Sequence, residues 1–74
     1  MDDDLGTRLA LHRATCRYTR TQAGEAAGVS RQTIFSYETG RHKPGIRALF
    51  LLAELYQLND GQRAELLRLA AADG

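Results

Sequence analysis

Apolar residues recur along this chain at helical intervals, broken by short polar stretches. Leu5, Leu9, His12 and Cys16 fall at i, i+4, i+7 and i+11, one face of a helix over about 5–16. Asp4 is positioned to cap it, and Asp2 and Asp3 suit its positive end. Tyr18 stands where an apolar staple precedes a cap. Thr19 then opens a second helix, 20–27, which Gly28 ends by accepting a left-handed conformation. Val29 plugs the corner. Ser30 caps a third helix, 31–39, and Gly40 closes it. Ala23, Ala27, Val29, Ile34 and Tyr37 are the positions where two steeply crossing helices bury side chains. Gly24 falls at their closest approach, where alanine is expected to fit and leucine is not.

Beyond Gly40 the pattern changes. Pro44 opens a fourth helix, 46–56, although Gly45 is a weak cap. Ile46, Leu49, Phe50, Leu52, Ala53, Leu55 and Tyr56 are more apolar residues than one stripe needs. Some of Phe50, Leu51 and Leu55 are therefore expected on the surface or against another chain. Asn59, with Gln62 three residues on, can cap a last helix over 62–71. Its stripe is Leu66, Leu67, Leu69 and Ala70, and Ala72 to Gly74 should fray. The sequence therefore predicts an all-α fold of five helices in one domain, 1–74.

Composition narrows the function. A chain of 74 residues buries only a thin core. No apolar run is long enough for a membrane span, and the acidic start has the wrong charge for a secretory signal. One cysteine, Cys16, cannot form an internal disulfide, which fits a reducing cytoplasm. His12 and Cys16 read as packing residues, since neither has neighbours at metal or nucleophile spacing. No paired carboxylates, metal cluster or Ser/Cys–His arrangement is visible. An enzyme is not expected, nor a cofactor or metal. The net charge is only +1, but its distribution is uneven. From Arg8 to Arg47 there are eight Lys/Arg against two acids, Glu25 and Glu38, a local excess of +6. Such segregation suits a polyanion.

The exposed start of the third helix reads Arg31-Gln32-Thr33. Arginine and glutamine pair bidentately with guanine and adenine edges in the major groove. At this point the chain resembles the Cro/phage-repressor type of helix-turn-helix domain. The residues that carry the resemblance are Thr19-Arg20, Ala23-Gly24, Gly28-Val29-Ser30, Ile34 and Tyr37-Glu38-Thr39-Gly40. Leu5-Gly6, Leu9 and Arg13 extend it on one side, and Arg41, Lys43-Pro44, Leu49 and Ala53 on the other. The chain departs from the family at Arg20, where glutamine is usual, at Gly24, where alanine is commoner, and at His12 and Ala23, where a larger apolar residue is preferred.

The resemblance implies a compact five-helix repressor-like domain with its motif at 19–40. It implies sequence-specific binding of double-stranded DNA as a transcriptional regulator, a repressor, acting in the cytoplasm at the nucleoid. The expected base contacts are Arg31, Gln32, Phe35 and Ser36. The expected phosphate contacts are Thr19, Arg20, Thr33, Arg41 and Lys43. Arg13 falls where the family places an arginine paired with the glutamate that here is Glu38, tying the first helix to the recognition helix. A homodimer on a palindromic operator is the family expectation. The alternative is a protein–protein module of antitoxin or antirepressor kind, bound through the leucine-rich C-terminal helices.

Overall fold

The computed structural model describes residues 4–72 and consists there of five helices: α1 (Leu5–Thr15), α2 (Arg20–Ala27), α3 (Arg31–Thr39), α4 (Ile46–Leu55) and α5 (Asp60–Ala72). None is long and apolar enough to cross a membrane. Asp2 and Asp3, expected to favour the start of α1, and Asp73 and Gly74, expected to fray, lie outside the described residues.

The helix ends follow from local chemistry. Asp4 accepts the Thr7 N–H at 2.7 Å, and this bond holds its carboxyl below the usual pKa. Gly28 (φ 75°) and Gly40 (φ 82°) close α2 and α3 in the left-handed conformation. Four boundaries differ from the sequence expectation. Cys16 and Tyr56 are caps rather than last helical residues, because Arg17 (φ 63°) and Gln57 (φ 56°) turn left-handed directly after them. Helix α5 runs from Asp60 to Ala72 rather than from 62 to 71, so Ala72, expected to fray, is its last residue. Asn59 Oδ1 accepts the Gln62 N–H at 2.8 Å and Gln62 Oε1 accepts the Asn59 N–H at 3.0 Å. In that reciprocal arrangement Gln62 is already the third helical residue.

Leu9, Ile34, Leu52 and Leu66, one each from α1, α3, α4 and α5, are the largest fully buried side chains. Ala23 of α2 is also fully buried, and its small size brings α2 close to its neighbours. Helix α2 packs on α3 and α4, while α1 packs on α3 and α5. Tyr18 lies against this core with its ring 6.4 Å from that of Tyr56. The surplus of α4 divides: Leu51 and Leu55 are half-buried against the core, whereas Phe50 is exposed.

Two glycines set the crossings. A Cβ on Gly24 would stand 2.5 Å from the Val29 carbonyl oxygen and 3.1 Å from the Ser30 carbonyl carbon. Alanine, expected from the sequence to fit, therefore does not fit without moving the backbone of the turn. A Cβ on Gly6 would stand 2.6 Å from the Glu38 carbonyl oxygen and 2.7 Å from that of Tyr37. Helix α1 thus rests directly on the last turn of α3.

Candidate nucleic-acid interface

The interface is built on two helix starts. Thr19 caps α2 reciprocally with Gln22: its hydroxyl accepts the Gln22 N–H at 3.0 Å, and Gln22 Oε1 accepts the Thr19 N–H at 2.9 Å. Ser30 caps α3 by accepting the Thr33 N–H at 3.1 Å. The turn between them is drawn tight by the Val29 N–H, which donates to the Gly24 carbonyl at 2.8 Å. Both positive helix ends are thereby fixed beside one open concavity. Its lining includes Thr19 and Arg20 from the start of α2, and Arg31, Gln32 and Phe35 from α3. Phe35 is 47% exposed.

Beneath the concavity lies an ionic cluster. Arg13 Nε donates to Glu38 Oε2 at 2.7 Å and Arg13 NH2 to Glu38 Oε1 at 3.2 Å, a two-pronged pair between α1 and α3. Arg13 NH1 also donates to the Tyr18 carbonyl at 3.0 Å, fixing the segment that leads into α2. Arg20 Nε donates to Glu38 Oε1 at 3.0 Å, and its guanidinium lies 5.1 Å from the centre of the Phe35 ring. The Glu38 side chain is 4% exposed, against 15% for Arg13 and 43% for Arg20. One buried carboxylate is therefore shared by two arginines, and the cluster keeps an excess positive charge. Hydrogen bonding to Glu38 raises the Arg13 guanidinium pKa further, over the opposing effect of burial. Burial, with the Glu38 charge adding, pushes the Tyr56 phenol up to about 12.

The remaining expected contacts, Thr33, Ser36, Arg41 and Lys43, do not line this concavity. Thr33 and Ser36 are half-buried. The Thr33 hydroxyl is 3.0 Å from that of Ser30, and the Ser36 carbonyl accepts the Arg41 N–H at 2.9 Å. Arg41 is exposed on the loop after α3. Lys43, expected to grip phosphate, donates from Nζ to the Ala70 carbonyl at 3.2 Å. The negative C-terminal end of α5 attracts a free cation. Arg20 is not a free arm either, since it is held by Glu38 and Phe35. The sequence carried a signal for that role: arginine replaces the usual glutamine opposite Phe35 and Glu38, which stand at i, i+3 on one face of α3.

A family model described as a helix-turn-helix domain matches residues 4–66. Comparison with curated proteins and with solved structures returns no match. The matched span takes in α1 to α4, the turn between α2 and α3, and the first half of α5, so this chain belongs to the helix-turn-helix domain family of Cro/phage-repressor type.

Proposed function

We propose that the protein binds double-stranded DNA in a sequence-specific way, with α3 in the major groove, and acts as a transcriptional repressor. The observation that carries this reading is the exposure of Arg31, Gln32 and Phe35 together at the capped start of α3. Arg31 and Gln32 have the donors and acceptors that base edges require, and Phe35 offers an apolar face to a thymine methyl. Ser36, one turn on from Gln32, completes the proposed base-reading set. Thr19, Arg20, Thr33 and Arg41, with the N–H groups of both helix starts, hold the phosphates. Lys43 joins them when its ammonium leaves the end of α5. These contacts give affinity and register, while the base edges give specificity. Arg13 and Glu38 hold the angle of α3 from beneath.

The role is binding rather than chemistry, in the cytoplasm at the nucleoid. The operator is palindromic and is read by two copies, because one small domain buries little surface on DNA. Retention on duplex DNA as salt rises is the direct test. Affinity should fall steeply with salt, and Arg31→Ala/Gln32→Ala should abolish preference for the best site while leaving salt-sensitive retention on random duplex. Salt-insensitive retention, or unchanged preference in that variant, would refute the reading.

A second reading, a protein-binding module of antitoxin or antirepressor kind, is favoured by one observation. Ile46, Phe50 and Leu67 are large apolar side chains left on the surface of α4 and α5.

A further inference from the structure

The two most exposed large apolar side chains, Ile46 (66%) and Phe50 (59%), sit one turn apart on α4. Arg47 and Glu54 are exposed on the same helix. At 3.6 residues per turn, Ile46, Arg47, Phe50 and Glu54 fall within about 100° of the helix circumference. Phe50 also edges an apolar crevice formed with Leu49, Ala53, Leu66 and Leu67. The outward face of α4 is thus an apolar centre with a cation toward one end and an anion toward the other.

We propose that this face pairs with the same face of a second copy, α4 against α4 in antiparallel order, about a two-fold axis beside Phe50 and Leu51. The charge pattern selects both occupant and direction. Arg47 and Glu54 lie seven positions apart, about 10 Å along the axis, and are symmetric about the midpoint of Phe50 and Leu51. In antiparallel order Arg47 of each copy meets Glu54 of the other, and the two Phe50 rings meet at the axis. In parallel order arginine would oppose arginine and glutamate would oppose glutamate. A surface that is its own complement under a two-fold rotation is what an isologous dimer requires. A stable interface commonly buries about 1,600 Å² in total. Two ten-residue helices supply only part of that, so the pairing is weak in free solution and is completed on DNA. The pairing deepens the two-copy reading of the proposed function, on which its biological use rests, yet it can be measured without DNA.

The test is sedimentation equilibrium in the absence of DNA, with thermal melts confirming the fold of each variant. The parent should show reversible monomer–dimer exchange. Arg47→Glu and Glu54→Arg should each weaken it by on the order of ten-fold or more, because each sets like charges in opposition. The swap Arg47→Glu/Glu54→Arg should restore the parent affinity. An equimolar mixture of the two single variants should form a mixed dimer, since the first then carries two glutamates and the second two arginines. Phe50→Asp should abolish pairing. A parent that stays monomeric at millimolar concentration overturns the proposal, including the case in which a different protein covers this face. A dimer unaffected by the single reversals, or by Phe50→Asp, overturns it as well. Duplex retention of the parent, measured in parallel, keeps the two readings apart: binding without dimer formation removes only the pairing, and dimer formation without binding removes only the DNA reading.

Discussion

Replacing Glu38 should cost more than replacing either of its partners, and the geometry ranks the losses. Glu38→Ala removes three charge-assisted hydrogen bonds at once and leaves Arg13 largely buried with only the Tyr18 carbonyl as acceptor. Breaking a fully buried ion pair costs about 3–5 kcal/mol. The cluster opens toward solvent on the Arg20 side, which reduces that to about 2–3 kcal/mol. Arg13→Ala leaves Glu38 its bond to Arg20 and should cost less, about 1–2 kcal/mol. Arg20→Ala forfeits an exposed ion pair and a stacked ring, together about 1 kcal/mol or less. For a domain of this size Glu38→Ala should lower Tm by about 10–20 °C. Arg13→Ala/Glu38→Ala should lose less than the sum of the singles, with a coupling of about 1–2 kcal/mol, because the second change removes a charge already stranded. The assay is urea and thermal unfolding of the parent, three single variants and one double variant. Additive losses, or Glu38→Ala no worse than Arg20→Ala, would show that the cluster is a set of independent surface charges.

Gly6→Ala and Gly24→Ala should each cost about 1–3 kcal/mol in a thermal melt, since each added methyl meets backbone rather than a movable side chain; a parent-like melt would contradict the crossings. His12 has a buried, unbonded Nε2, and burial, followed by the Arg8 charge, lowers its pKa despite the opposing pull of Glu65. The unfolded chain therefore protonates first, so Tm should fall as pH drops below about 6.5 until the folded pKa is passed; His12→Leu should flatten that part of the profile, and an unchanged profile would refute the assignment. Arg31→Ala should relax preference at one base position and cost about 1–3 kcal/mol on the best site. Arg41→Ala should instead weaken all sequences alike and reduce the salt slope by about one, a pattern that quantitative binding at several salt concentrations separates from loss of preference.

What could be read from the sequence was mostly what depends on near neighbours. The caps at Asp4, Thr19, Ser30 and Asn59 and the glycine stops at 28 and 40 are written in four or five consecutive residues, so the helices emerge with small errors at their ends. The Arg13–Glu38 pair joins residues 25 apart, and only the family resemblance pointed to it. Distances across the fold were not legible. Nothing local in Leu5-Gly6 says that the Tyr37 and Glu38 carbonyls lie against it, and nothing in Gly24 says that even a methyl meets the Val29 carbonyl. Lys43 looked like a free arm because the end of α5, 27 positions further on, is invisible from the loop sequence. Arg20 was legible as a cation at a helix start; its departure from the usual glutamine was the one hint of a further role, and its bond to Glu38 depends on the angle between α2 and α3.

The central claim is that α3 reads base edges. Selection of bound sites from random duplexes tests it most directly, because it returns preference and spacing together. A short motif should be enriched, lost at one position with Arg31→Ala, and repeated as inverted half-sites about 10 base pairs apart centre to centre or a multiple of that. Recovery of a pool no different from the starting library, at salt low enough to retain the DNA, would contradict it.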